Sequence, residues 1–593
     1  MKINSTSIRE HMNTNKNIVT LLALFTIALV LGQEKEDIGT ETVTVVKPYA
    51  PSVSDAFKIK TQPVIEDSIA LQKKPIKYSI FSVPVASTFT PAKAKASTVK
   101  KTPPPRLYNS YAAVGLGNYN NALVNFYTSR EIGRDENLLD IGLDHHSSRG
   151  DINSTPLETD FYHTDLDVTF TKRDRDYDYG VGLDLGHQLY NWYGLQSGVY
   201  TQEEVDAINE QQNYFSAGAN AYINVEDSFF KNADLKLNRF WDHLKSAENS
   251  AALSAAIELP ITTEMVTIKG RVDYVGGEFA NASLNSTDND EGIAYGQLIA
   301  GINPSFLVLR DELTLKLGAN FVYGMDLERS NGSFYIYPAV TASYRIMEDQ
   351  VIAYGGIEGD LQQNSYKTLV AQNPYVSPTL EIQPTDMQYH AHLGLKGQLL
   401  SNFGYNFKAY YKAENRKPLF LLNPENSNRS DEGYAYGNSF QVFYDDVKTI
   451  GAFGEINVDV NRNFSLGINA EYNHYNTETD NPAWNLPQIQ ASVFMDYQIS
   501  DNWFAGANLF YVGEREDLQA VATAGLFPNE FPSTQVTLDS FFDANAHLGY
   551  RFNEQLSVFA KFSNLSNKNY QRWSNFYVQG FQALAGISYK FDF

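Results

Sequence analysis

From Leu107 to the last residue, apolar and polar side chains alternate with a period of two, segment after segment. The final stretch shows the pattern most clearly. Ala585, Ile587, Tyr589, Phe591 and Phe593 share one face, and Gly586, Ser588, Lys590 and Asp592 share the other. Successive side chains of a strand point to opposite faces, so this is a ribbon with one apolar and one polar side. Phe542, Ala544, Ala546, Leu548 and Tyr550 alternate with Asp543, Asn545 and His547 in the same way. Phe464 to Asn473 and Ile489 to Gln498 repeat it. Many such ribbons satisfy their backbone groups and their two faces together only as a closed sheet with an apolar surround and a wet interior.

The connections between ribbons set the topology. Short polar turns recur at Thr262-Thr263-Glu264, Arg310-Asp311-Glu312, Glu348-Asp349-Gln350, Ser401-Asn402, Asn461-Arg462-Asn463, Ser500-Asp501-Asn502 and Asn553-Glu554-Gln555. Longer connections fall between them at 188–212, 280–292, 366–387, 416–437 and 517–538. Strict alternation of short and long connections is the arrangement of an outer-membrane barrel with tight periplasmic turns and long extracellular loops. The fold class expected is all-β: a large antiparallel transmembrane β-barrel of about 22 strands over 107–593, with both termini in the periplasm. Residues 107–593 hold no apolar run near the roughly 18 residues that a spanning helix needs.

The N-terminal part is of a different kind. Lys16 and the apolar run Ile18 to Leu31, then Gly32, have the proportions of a secretory signal peptide, so 1–32 is read as an export signal. Residues 33–106 form an extension rich in Pro, Lys, Ser and Ala, closing Lys100-Lys101-Thr102-Pro103-Pro104-Pro105-Arg106. This composition suits an extended, semi-rigid periplasmic segment and is poor material for a core. Within it, Thr42-Val43-Thr44-Val45-Val46 is a short β-prone run stopped by Pro48. Such a run is able to add as a strand to the sheet edge of a partner.

A family resemblance rests on the C-terminal hundred residues. Ser563-Asn564-Leu565-Ser566-Asn567-Lys568-Asn569-Tyr570, then Tyr577-Val578-Gln579-Gly580, then the closing strand, resembles the end of TonB-dependent receptors. Tyr511-Val512-Gly513-Glu514-Arg515 resembles that family's third-from-last strand region, and Asn118 to Phe126 with His145 to Gly150 resembles the receptor-like barrels of Bacteroidota envelopes. The resemblance implies that Thr42 to Val46 is a TonB box. It also implies that Tyr589, Phe591 and Phe593 belong to the C-terminal signal read by the barrel assembly machinery. One departure stands out. Fewer than sixty residues separate Pro48 from Leu107, too few for the family's globular plug, so the plug is expected to be missing.

The candidate chemistry is sparse. His390 and His392 stand two apart on one strand beside Lys396 and should face the lumen; two imidazoles at that spacing suit a shared metal, yet no third ligand is evident. His145 and His146 are adjacent and point to opposite faces. Asp288-Asn289-Asp290-Glu291-Gly292 is an oxygen-rich stretch that reads as a solvated loop. No nucleophile-elbow or protease pattern occurs, so the chain is not read as an enzyme, and no cofactor is implied. A net charge of -23 excludes general nucleic-acid binding. The function expected is passage of a small solute, a sugar or peptide, across the outer membrane of a Gram-negative cell. The alternative is a non-transporting barrel subunit of an envelope assembly that docks through 33–106. Expected partners are outer-membrane lipid, the assembly machinery and TonB.

Overall fold

The computed structural model describes residues 106–593 apart from 134–136, 151, 153–154, 262–263, 282–283, 285–291, 426–431 and 521–532. The Thr42–Val46 run, the export signal, the extension up to residue 105 and Asp288 to Glu291 lie outside the described residues.

Strands β1 (Ser110–Gly117), β2 (Ala122–Ile132), β3 (Asn137–Ser148), β4 (Phe161–Arg173) and β5 (Tyr177–Asn191) lead to helix α1 (Gln202–Ala207). Then come β6 (Gln211–Val225), β7 (Phe230–Asp242), β8 (Ala247–Ile261), β9 (Glu264–Phe279), β10 (Ile293–Arg310), β11 (Leu313–Asp326), β12 (Asn331–Met347) and β13 (Val351–Gln362). Helix α2 (Tyr366–Gln372) precedes β14 (Thr385–Leu400), β15 (Phe403–Leu422), β16 (Phe440–Asn461), β17 (Phe464–Thr477), β18 (Ile489–Gln498) and β19 (Trp503–Val512). The chain closes with β20 (Arg515–Ala520), β21 (Ser533–Leu538), β22 (Phe541–Arg551), β23 (Leu556–Ser563), β24 (Gln571–Trp573), β25 (Phe576–Tyr577) and β26 (Gln582–Phe591).

Twenty-two of these strands form one antiparallel ring; β20 with β21 and β24 with β25 are two-stranded hairpins in loops. The ring is closed by β26, which pairs with β23 on one side and β1 on the other. Tyr589 lies opposite Leu556 of β23 and opposite Ala112 of β1, so no ladder edge is left there for another chain. The expected strand number and the expected partners of the closing strand are both found.

Alternation decides which side chain goes where. Ile587 and Tyr589 point outward and are half exposed, as are Leu393 and Leu395 of β14 and Leu183 and Leu185 of β5. Their neighbours Ser588, Gly394 and Asp184 point into the lumen. Outward aromatics collect in two bands. Toward the loop end His187 stacks on Phe215 at 4.3 Å, and Phe215 on Trp241 at 5.6 Å. Toward the short-turn end Trp503 packs on Tyr550 at 4.9 Å and Tyr589 stacks on Phe591 at 5.9 Å. Two such bands mark the water–lipid interfaces of a membrane barrel.

Among the described residues the short turns fall where the sequence places them, and Arg173-Asp174-Arg175-Asp176 is one more; Thr262 and Thr263 lie outside the described residues. The loop end differs in two respects. First, residues 416–422 are strand rather than loop, because β15 runs 20 residues to Leu422 and β16 runs 22. Lys417-Pro418 looks like a stop, but Arg416 takes a positive φ of 52° and the register shifts there. A bulge of this kind takes up the residue that proline would otherwise disrupt. Second, the β11–β12 connection is the four-residue turn Leu327–Ser330, so not every loop-end connection is long.

Candidate functional site

Three loops leave the ring at nearly even spacing: between β5 and β6, between β13 and β14, and between β23 and β26. They meet at one point. Tyr375 stacks on Phe576 with ring centroids 3.9 Å apart, and Tyr193 stands edge-on to both, at 5.6 Å and 5.0 Å. The Tyr193 hydroxyl donates to the Tyr577 carbonyl at 2.8 Å. Chain segments rooted at three well-separated points of a rim can touch together only across the opening, so this cluster lies across the mouth of the lumen. Phe576 is completely buried, and a Cβ on Gly194 would come within 2.3 Å of its ring. The ring therefore lies directly on the backbone of the β5–β6 loop.

Each loop is fixed locally before it docks. Helix α1 carries a reciprocal cap between Thr201 and Glu204, and α2 has the same arrangement between Ser365 and Thr368. Such caps satisfy amide groups that a short helix leaves unpaired. Helix α2 is then tied to the wall. Glu248, near the start of β8, accepts from the backbone amides of Tyr366 at 2.5 Å and Lys367 at 3.3 Å, and from the Tyr295 hydroxyl at 2.8 Å. The Tyr366 hydroxyl donates to Asp242 at 2.9 Å. A carboxylate at a helix N-terminus meets both free donors and the positive end of the dipole. Leu369, Val370, Val376, Leu380, Phe420 and Phe440 complete one continuous apolar core with the three-ring cluster. The tip of the β15–β16 hairpin joins from the side, where Asn438 donates to the Trp192 carbonyl at 2.7 Å and the Tyr200 hydroxyl to the Tyr436 carbonyl at 2.7 Å. The loops thus form a folded cap with its own hydrophobic interior.

The β20–β21 hairpin supplies a titratable group to this cap. Asp517 is fully buried and accepts from the amides of Leu422 at 3.1 Å and Leu518 at 2.8 Å. Burial pushes its carboxyl up to about 6, against the help of Asn485 and Arg515. The buried form holds its proton more tightly than a solvated carboxyl does, so acidification favours the docked hairpin and alkaline pH loosens it. Between pH 8 and pH 5 the opening constant should fall about tenfold, read as hydrogen exchange at 515–519 corrected for intrinsic rates. Asp517→Asn should abolish that dependence; an equal pH effect in the variant would contradict the assignment.

The two sequence-predicted histidines lie below the cap on the lumen face of β14. Their rings are 5.3 Å apart, and His390 stands edge-on to Tyr410 at 5.6 Å. His390 is directly across the ladder from Lys412, and His392 from Tyr410. Asp386, four positions before His390, accepts from the Tyr337 hydroxyl at 2.7 Å. Among the described residues no group of three or more ligands suits a metal. A lysine beside two imidazoles repels a cation, and that argues against the shared-metal reading. The closing residues Tyr589, Phe591 and Phe593 sit at the short-turn end, far along the chain direction from the cap, with Phe591 and Phe593 rings 6.3 Å apart.

Sequence reasoning missed the cap. The signal was present in Tyr193-Gly194, Tyr375 and Phe576, aromatic residues outside the barrel strands to which no role was given. What a period-two reading does not give is which loops meet.

No protein-family model matches the chain, and no curated protein matches it. Solved structures do. The siderophore receptor PirA from Acinetobacter baumannii aligns over 81% of this chain and 80% of its own, at 13% identity and a TM-score of 0.61. The pyoverdine outer-membrane receptor FpvA from Pseudomonas aeruginosa PAO1 aligns over 83% and 80%, at 12% identity and a TM-score of 0.61. The copper transporter OprC aligns over 82% and 81%, at 13% identity and a TM-score of 0.56. At these identities the likeness is one of fold: the chain carries a closed 22-strand barrel similar to those of these outer-membrane receptors and transporters.

Proposed function

We propose that this chain is an outer-membrane transport barrel whose loop cap controls entry of a small solute. The observation that carries the reading is the convergence of Tyr193, Tyr375 and Phe576 across the mouth of a ring this wide. A barrel of about this many strands is large enough to hold an aqueous channel, so it needs a closure. A siderophore receptor and a copper transporter among the structural neighbours support the reading. In this account 1–32 exports the chain, the outward bands of aromatics meet lipid, and the loop end faces outside. Residues 33–106 serve the periplasmic side, with Thr42 to Val46 offered to TonB as an added strand.

Deleting 42–46 should abolish capture of the purified protein by immobilised TonB while leaving a folded barrel on semi-native gels. Undiminished capture would remove the box. If capture is absent from the start and another protein co-purifies in fixed ratio only when 33–106 is intact, the docking-subunit reading replaces this one. Deleting Phe593 should lower the yield of assembled barrel several-fold in cells, with little effect on refolding in detergent; equal losses in both would make the residue structural rather than a signal.

A further inference from the structure

Three lysines on the lumen face of β14 and β15 have no acidic partner. Lys396, Lys408 and Lys412 take part in no ion pair among the described residues. The nearby carboxylates form no ion pair with them, although Glu414 and Glu471 attract Lys412. Glu414 pairs with Lys417 at 2.5 Å, Glu471 accepts from the Tyr410 hydroxyl, and Glu358 and Glu455 form no pair with them. Tyrosine rings hold the ammonium groups instead. Lys412 and Lys408 lie 5.1 Å and 5.6 Å from the centre of the Tyr410 ring, and Lys396 lies 5.2 Å from that of Tyr354. The rings are fixed in turn: the Tyr410 hydroxyl also lies 2.5 Å from the Asn473 side chain, and Tyr354 donates to Asn406 at 2.5 Å. A Cβ on Gly451 would come within 2.2 Å of the Tyr410 ring, and one on Gly394 within 2.6 Å of Tyr354. Glycine at both places lets the rings lie flat against the wall.

A cation over an aromatic face is oriented without being neutralised. The wall therefore keeps three positive charges in fixed places, and His390 stands across from Lys412 with its Nε2 buried and unpartnered; Nδ1 of His392 is likewise unpartnered. Lys408 and Lys412 stand four positions apart on β15, and Lys396 lies diagonally across from Lys408 on β14, so the three charges repel one another at a cost to stability. A bound anion removes that cost. The far side of the ring is the opposite in character: Asp144 faces Asp165 and Asp167 faces Asp184 across β3, β4 and β5. A ring of this strand number is roughly 40 Å across, and charges are screened over about 8 Å at physiological salt, so the two walls act separately.

We propose that the lumen face of β14 and β15 is a binding site for a small polyanion, with Lys396, Lys408 and Lys412 as its charged contacts and His390 and His392 as hydrogen-bond partners. The site deepens the transport reading and rests on it, since it gives the passing solute its chemical class: two or more carboxylate, phosphate or sulfate groups. The probe is citrate, titrated calorimetrically into the purified full-length barrel at low ionic strength, with triethyl citrate as the uncharged control. Saturable binding of citrate alone is expected, weakening steeply with added NaCl. Lys408→Gln with Lys412→Gln should lower the affinity at least tenfold, whereas Asp165→Asn with Asp167→Asn should leave it within twofold. Both variants are first checked for heat-modifiable mobility, the mark of a closed barrel. No saturable binding, or equal affinity in the lysine variant, would overturn the site. Citrate binding without citrate flux through proteoliposomes carrying the cap-opened Tyr375→Ala, Phe576→Ala barrel would retire the transport reading and leave the site standing.

Discussion

A barrel carrying Tyr375→Ala with Phe576→Ala should conduct ions across a planar bilayer under conditions where the unaltered protein stays almost silent. Phe576 is completely buried, and Tyr375 stacks on it at 3.9 Å. Removing one buried aromatic side chain costs about 3–5 kcal/mol, because the lost burial is joined by a cavity. These two touch, so their effects do not add in full. A joint loss of about 5 kcal/mol raises the open fraction of the cap by between three and four orders of magnitude, on the order of a few thousandfold. The ladder is untouched, since both residues lie in loops, and the barrel should keep its thermal stability. Gly194→Val acts on the same contact from the other side, where a Cβ meets the Phe576 ring at 2.3 Å. It should give the same phenotype. Silence in all of these variants would mean that something other than the cap closes the pore.

Gly586→Val should prevent the ring from closing. Gly586 stands in the middle of β26, opposite Phe559 of β23 and Gly115 of β1. A Cβ there would lie 2.4 Å from the Val114 carbonyl oxygen and 2.4 Å from the tip of the Phe559 ring. The ring is able to turn away, but the carbonyl belongs to the seam and moves only if β1 and β26 part. Overpacking in an ordinary core costs about 1–3 kcal/mol; at the seam it is added to the loss of ladder bonds. The folded, heat-modifiable form should be nearly absent after refolding. Gly404→Ala is the matched control, because its Cβ meets nothing nearer than 4.0 Å, and it should refold normally. Normal closure of Gly586→Val would show that the seam tolerates a register shift.

The barrel was legible because its physics is local and repeated. Ile587, Tyr589 and Phe591 need an apolar surround, Ser588 and Lys590 need water, and that requirement alone sets the faces of β26 and the count of its relatives. The short turns were legible for the same reason, since Asn553-Glu554-Gln555 and its equivalents break two apolar runs with residues that favour turns. The cap was not legible. Phe576 and Tyr375 are separated by about two hundred positions in sequence, and their contact depends on where the ring places the roots of their loops. Arg416 also defeated local reading, because a single left-handed residue before Lys417-Pro418 lets a strand continue where the sequence suggests that it stops. The lysine wall was half visible. His390, His392 and Lys396 were read as one lumen face, but the tyrosine rings that hold Lys408 and Lys412 become neighbours only through the β14–β15 register.

The central claim is that solute passes this barrel when the cap parts. The chain contains no cysteine, so thiols placed at 375 and 576 are the only ones present. Tyr375→Cys with Phe576→Cys, bridged by a short reducible bis-thiosulfonate linker, fixes the cap shut and then frees it in the same sample. Flux through proteoliposomes should be near zero while the bridge stands and should rise at least a hundredfold on reduction. Equal flux before and after reduction, high or low, would contradict the account.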